Sequence, residues 1–116
     1  RIKKGINLAI KEIKNKKDIV LGISKSDKSP YFNMVKKKGE IVELLNNKNI
    51  MLNRQDFKGV FNLTTIVYAC RSEFVLNIKK SYWEGNVKFI EIPKIRSIDI
   101  DDIFDFKLAE IIYKNL

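Results

Sequence analysis

The chain has 116 residues, of which 45% are apolar and 32% charged, with a formal net charge of +9 and no histidine. Because histidine is absent and Cys70 is the only cysteine in this sequence, a histidine-based hydrolytic triad, a zinc site with histidine ligands and an internal disulfide are excluded within these residues. No apolar run approaches the roughly 18 residues of a membrane-spanning helix, so we expect no membrane partner.

The first 45 residues predict a helix, a strand and a hairpin. Residues 3–15 repeat apolar side chains at helical spacing and predict an amphipathic helix. Residues 18–24 are almost continuously apolar, which is typical of a strand covered on both faces of a sheet. Residues 31–45 flank the turn candidate Lys38-Gly39 with two short apolar stretches and predict a β-hairpin. A lone hairpin is marginally stable in water, so its apolar face needs a partner surface.

The middle of the chain predicts a second buried strand followed by a short helix. Residues 64–69 are rich in β-branched side chains, which favour a strand. The adjoining Cys70 is expected to be a small core residue. Ser72 is the expected N-cap of a helix that continues to Asn77.

The last third predicts a loop, a strand and a closing helix. Tyr82 and Trp83 mark the loop, and packing beneath it is favoured over stacking on a nucleic-acid base. Residues 87–92 alternate apolar and polar side chains, as a strand near a sheet edge does. A helix over residues 102–115 is expected to cover the sheet with its apolar side. Helices that alternate with apolar strands indicate the α/β fold class.

Two carboxylates precede this last helix. In an extended segment residues i and i+2 share a face, so Asp99 and Asp101 would point together while Ile98 and Ile100 face a core. A carboxylate pair of this kind can hold Mg²⁺ while water and substrate phosphates take its other positions. The segment therefore indicates phosphate chemistry.

A structural alternative accounts for the same residues. Asp102, with Asp105 three residues later, resembles a capping arrangement for the final helix. Asp101 is then a solvated turn residue. Spacing alone favours this alternative, because aspartate-rich helix starts are common.

Three motifs, in the same order along the chain, resemble those of one enzyme family. They are Ser29-Pro30-Tyr31; Asn53-Arg54-Gln55-Asp56 with Tyr68 behind it; and Ser97-Ile98-Asp99-Ile100-Asp101 followed by Asp105-Phe106 and Leu108-Ala109-Glu110. The first resembles the Ser-Pro element, the second the Arg-Gln-Asp motif and the third the C-terminal signature of the acylneuraminate cytidylyltransferases, the CMP-N-acetylneuraminic acid synthetase-like enzymes. The resemblance spans most of the chain.

The resemblance implies a fold and an assembly. The fold is a Rossmann-like nucleotidyltransferase three-layer sandwich in the α/β class. Residues 1–116 are expected to be the C-terminal portion of a single cytidylyltransferase domain, with the CTP-binding part upstream. A hairpin insertion at about residues 29–58 packs on a second subunit in the family, so a cytoplasmic homodimer is expected. The sequence departs from many relatives at Thr64-Thr65, where they have Asn-Gly.

The resemblance also implies a reaction, in which CMP passes from CTP to a nonulosonic, sialic-acid-like sugar acid of nine carbons, giving CMP-sugar and pyrophosphate. Asp99 and Asp101 are the implied catalytic residues and the ligands of an Mg²⁺ cofactor. Residues 1–116 alone are expected to be inactive. The implied substrate-binding residues are Arg54, whose planar fork suits the sugar carboxylate, Gln55, Asp56 and Tyr68.

The charge distribution gives an alternative hypothesis, a non-catalytic basic module that binds nucleic acid or another partner. Residues 1–50 carry 13 basic and 5 acidic side chains, and such a field attracts polyanions. A protein that binds a phosphate backbone has no use for a convergent acidic pair, and its affinity falls steeply with salt. We therefore expect the enzyme, and no nucleic-acid partner.

Overall fold

The computed structural model describes residues 3–15, 17–46 and 59–116. The helices and strands in these ranges confirm a mixed α/β architecture. Every helix among these residues is too short or too polar to cross a lipid bilayer. In chain order the elements are α1 (Lys3–Ile13), β1 (Ile19–Lys25), β2 (Val35–Lys38), β3 (Ile41–Leu44), β4 (Phe61–Cys70), α2 (Ser72–Asn77), β5 (Val87–Glu91) and α3 (Ile103–Lys114), with short 3-10 turns at Tyr82–Glu84 and Lys94–Arg96.

A three-stranded sheet organises the larger part of the chain, with the order β4-β1-β5. β1 and β5 are parallel. At the other side of β1, the N–H of Arg71 donates to the carbonyl of Asp18 at 3.0 Å, and the N–H of Ser26 donates to the carbonyl of Val60 at 3.3 Å. The first bond joins the end of β4 to the start of β1, and the second joins the end of β1 to the start of β4. β4 therefore runs antiparallel to β1. Within the described residues β5 is an edge strand, as its sequence predicts.

The core lies where α1 covers the sheet. Ala9 of α1 is fully buried, and so is Val20 of β1. Leu21 is also enclosed, so β1 is covered on both faces, as its continuous apolar run predicts. Burying one such side chain contributes about 1.5–3 kcal/mol, which makes β1 a main source of packing energy. The cluster around α1 consists of Ala9, Val20, Ile90 and Ile92, with Ile13, Val67 and Ala69 packed against it.

Residues 25–62 form a second compact unit. In this unit β2 and β3 pair as an antiparallel hairpin, with Val35 opposite Leu44 and Lys38 opposite Ile41. The predicted hairpin is confirmed, but its turn lies one residue later than Lys38-Gly39. Gly39 has φ of +64°, a conformation that glycine adopts without steric cost, and this fixes the turn at residues 39–40.

Two local expectations after β4 are wrong. Cys70 is exposed and not a core residue, because it is the last residue of β4, where the strand leaves the covered part of the sheet. The helix α2 has the predicted range, but Arg71 is its N-cap and no side chain caps it. Ser72 is the first helical residue. The sequence pattern locates both elements correctly, but β4 begins three residues before the predicted strand and the N-cap of α2 lies one residue before the predicted one.

The apolar side of α3 does not cover the sheet as expected. No residue of α3 is buried, and Ile103, Phe106 and Tyr113 are all exposed. Ile100, which alternation places in a core, is 53% exposed. Helical periodicity shows which side of a helix is apolar but carries no information about the surface that this side meets. The sequence of α3 therefore could not predict where the helix lies relative to the sheet.

Candidate functional site

Asp99 and Asp101 lie in the irregular segment between the 3-10 turn Lys94–Arg96 and α3. Both residues are exposed. Neither carboxylate forms a hydrogen bond or an ion pair with another described residue. Their oxygens are therefore accessible to a ligand from solution.

A reciprocal capping box fixes the backbone beside these carboxylates. Asp102 is the N-cap of α3, and its Oδ1 accepts the N–H of Asp105 at 2.9 Å. In return, Oδ2 of Asp105 accepts the N–H groups of Asp101 at 3.2 Å and Asp102 at 3.3 Å. The capping role of Asp102 and Asp105 is thus confirmed. Because Asp101 takes part only through its backbone, its carboxylate stays available, and capping and ligand binding are compatible at this helix start.

The donor set at this position suits magnesium. Mg²⁺ prefers carboxylate oxygens, keeps several waters and is commonly held by one or two carboxylates plus substrate phosphates. Asp99 and Asp101 supply two exposed, unpaired carboxylates. A group of three or more histidine, cysteine, aspartate or glutamate residues suited to a metal does not occur among the described residues. Two carboxylates are the number of protein ligands that a largely hydrated Mg²⁺ commonly takes.

Tyr68 belongs to a group of three aromatic rings that we call the aromatic cluster: Tyr68, Tyr82 and Trp83. The ring centroids of Tyr68 and Tyr82 are 6.4 Å apart, and those of Tyr82 and Trp83 are 5.0 Å apart. Tyr68 is 44% exposed and Trp83 is 62% exposed. Partly exposed aromatic faces supply apolar contact area for a ring-shaped ligand, while tyrosine hydroxyls supply hydrogen bonds.

Sequence reasoning did not predict that Tyr82 and Trp83 belong to the aromatic cluster. It predicted that they pack beneath their loop, whereas Trp83 is largely exposed and Tyr82 bridges the other two rings. Their proximity to Tyr68 depends on how β4 and the turn at residues 82–84 come together in space. The available signal was the Tyr-Trp pair itself, next to a loop glycine and two lysines.

The turn that carries Tyr82 and Trp83 is held by the side chain of Glu84. Oε1 of Glu84 accepts the N–H groups of Lys80 at 2.6 Å and Ser81 at 3.0 Å, and Oε2 accepts that of Lys79 at 3.4 Å. These bonds, that of Ser81 foremost, hold the pKa of the Glu84 carboxyl below its usual range. Gly85 follows at a close approach, since a Cβ there would lie 2.5 Å from the Phe74 ring.

The other predicted motifs have different outcomes. Arg54, Gln55 and Asp56 fall on residues 47–58, which lie outside the described residues, so their roles stay predictions. Ser29 is buried, and its carbonyl accepts three successive backbone N–H groups, from residues 32, 33 and 34. Its own N–H donates to Oδ1 of Asn33 at 2.6 Å. The Ser-Pro element therefore forms a turn that leads into β2.

No protein-family model matches this chain, and no curated protein matches it. The likeness to the acylneuraminate cytidylyltransferases rests on the three sequence motifs. The structure adds the positions of Tyr68, Asp99 and Asp101, all on the surface of the molecule.

Proposed function

We propose that the chain is part of a cytidylyltransferase that transfers CMP from CTP to a nonulosonic sugar acid, on a Rossmann-like nucleotidyltransferase fold. The observation that carries this proposal is the position of Tyr68. The family resemblance implies a sugar-binding role for this residue, and its ring stands in an exposed aromatic cluster. The parallel pairing of β1 with β5 is compatible with a Rossmann-like sheet.

Two kinds of side chain would hold the sugar. The aromatic cluster offers apolar ring faces and two tyrosine hydroxyls to a polyhydroxylated ring. The guanidinium of Arg54 would bind the sugar carboxylate, since its planar fork matches two carboxylate oxygens. Gln55 would hydrogen-bond hydroxyl or acylamino groups, with Asp56 beside it. Aromatic faces together with an arginine would suit a substrate that is both acidic and ring-shaped.

The nucleotide side of the reaction would use Asp99 and Asp101 to hold Mg²⁺. When bound, the ion supplies charge neutralisation for the phosphate oxygens and the leaving group. The anomeric hydroxyl oxygen of the sugar acid bonds to the α-phosphorus of CTP, the bond to pyrophosphate breaks, and the hydroxyl proton is released. Asp102 and Asp105 keep the backbone of Asp101 in place. Catalysis is then mainly positioning and electrostatic stabilisation.

The substitution Asp101→Asn tests this function in the full-length protein. We expect Mg²⁺-dependent pyrophosphate release from CTP and sugar acid to fall by about 100-fold or more, since loss of one charged ligand weakens both metal binding and charge stabilisation. The fold should be retained, because Asp101 contributes to the helix start through its N–H and not its carboxylate. Glu91→Gln, another exposed carboxylate, is the matched control and should keep normal turnover. Near-normal turnover of Asp101→Asn would contradict the metal role.

Metal binding is measurable in the 116-residue chain without turnover. Paramagnetic Mn²⁺, a substitute for Mg²⁺, should broaden the amide resonances of residues 99–105 selectively. The broadening should disappear in Asp101→Asn and persist in Glu91→Gln. Equal broadening of residues 99–105 in both variants would show that the Asp101 carboxylate does not hold the ion.

A further inference from the structure

The turn that carries Tyr82 and Trp83 has little backbone support of its own. The Glu84 N–H donates to the carbonyl of Ser81 at 3.2 Å, and the Gly85 N–H donates to that of Tyr82 at 3.3 Å. A single 3-10 turn of three residues leaves the N–H groups before it without helical partners. In this turn the carboxylate of Glu84 receives those N–H groups. The Glu84 carboxylate therefore closes the loop at residues 79–84, within a capping box that also includes the Ser81 side chain.

The same side chain determines where the two rings stand. Tyr82 and Trp83 lie between the donors of Lys80 and Ser81 and the acceptor, Glu84. Tyr82, which packs against Tyr68 of β4, therefore lies inside the loop that these bonds close. The Phe74 ring limits the other end of the turn, because it occupies the space where a side chain at position 85 would be.

We propose that Glu84 is a positioning residue for the sugar-binding surface: it folds residues 79–84 so that Tyr82 bridges Tyr68 and Trp83. This inference rests on the proposed function, which assigns the aromatic cluster to the sugar acid. The role assigned to Glu84 is to hold the loop, since both its oxygens accept backbone N–H groups. Its loss affects binding of the sugar and leaves the chemistry at phosphorus unchanged.

The first test uses Trp83, the only tryptophan of the chain, as a reporter. In Glu84→Ala the three N–H groups donate to water instead, and the loop opens. Time-resolved fluorescence anisotropy of Trp83 should gain a fast component, and near-UV circular dichroism should weaken, while far-UV circular dichroism stays unchanged. Glu84→Gln keeps an acceptor oxygen and should restore much of the wild-type signal. Glu91→Ala removes an exposed carboxylate elsewhere and should have no effect. Unchanged Trp83 anisotropy in Glu84→Ala would overturn the proposal.

The second test separates positioning from a merely structural role. In the full-length enzyme, Glu84→Ala should raise KM for the sugar acid about tenfold, the size of one lost aromatic contact, with kcat and the KM for CTP unchanged. Glu84→Gln should restore most of that KM. If the wild-type protein transfers no CMP, the proposed function fails. If it does, and Glu84→Ala keeps a normal KM for the sugar acid, the positioning role alone fails.

Discussion

Thr64 is the described residue whose buried side-chain oxygen has no hydrogen-bond partner. It lies on β4 and is 5% exposed. Its Oγ1 approaches Gly22 of β1 so closely that a Cβ at Gly22 would lie 2.6 Å from it. Because Gly22 has no side chain, the Thr64 side chain fits beside it and is shielded from solvent. A buried hydroxyl without a partner costs about 1–3 kcal/mol.

The substitution Thr64→Val should stabilise the protein. Valine has the same shape and replaces the unpaired hydroxyl with a methyl group, so we expect the free energy of unfolding to rise by about 1 kcal/mol. Urea unfolding monitored by circular dichroism measures the change. Thr65→Val is the matched control, because Thr65 is the exposed neighbour on the same strand and should change stability by less than about 0.5 kcal/mol. A loss of stability in Thr64→Val alone would show that the hydroxyl has a partner.

At the scale of secondary-structure elements, α3 differs from α1 in what holds it. α1 buries Ala9 against the sheet, whereas no residue of α3 is buried. Its described stabilising contacts are local. They include the capping box of Asp102 and Asp105 and, near the other end, an ion pair of 2.9 Å between Lys114 and Glu110. Exposed ion pairs of this spacing contribute only about 0.3–0.5 kcal/mol, so the cap is the larger contribution.

Removing the cap should therefore loosen α3 specifically. Asp102→Ala should lower the opening free energy of the α3 amides by about 1 kcal/mol, because the N–H of Asp105 loses its acceptor. Hydrogen exchange measured residue by residue checks this, with the amides of β1 as an internal reference that should not change. Asp102→Asn preserves a side-chain acceptor and should behave like the wild type. Equal effects of the two substitutions would contradict the capping role.

The elements were predictable because their signals are local. Periodicity placed α1 and α3, the apolar run placed β1, and β-branched residues placed β4. The exposure of α3 and of Cys70 was not predictable, since burial depends on which surfaces meet. The same distinction between local and long-range signals applies to the candidate site. The capping residues follow from spacing in the chain, whereas the approach of Tyr82 to Tyr68 joins residues far apart in sequence. The role of Arg54 stays a prediction.

At the scale of the whole molecule, the hairpin exposes several apolar side chains. In the hairpin, strand alternation and register place Val35, Val42 and Leu44 on one face, with Lys37 opposite Val42 as its one charged residue. Val35 is 54% exposed and Val42 is 63% exposed. The other face is charged, with Lys36 and Lys38 lying 3.9 and 3.6 Å from a carboxylate oxygen of Glu43. Since a two-stranded hairpin is marginally stable alone, this apolar face is where we expect the subunit contact of the homodimer that the family resemblance implies.

The two hairpin faces allow a matched test of that homodimer. Val42→Lys puts a charge on the apolar face and should raise the dimer dissociation constant at least about tenfold, since burying an unpaired ammonium costs more than 1.4 kcal/mol. Ile41→Lys changes an equally exposed residue on the charged face and should leave the dissociation constant unchanged. Analytical ultracentrifugation over a dilution series measures both, with far-UV circular dichroism to confirm folding. A wild-type protein that stays monomeric at about 100 μM would contradict the homodimer, because an interface with that little affinity is worth under about 5.5 kcal/mol. Equal weakening of the dimer by both substitutions would instead show that the interface does not lie on the apolar face.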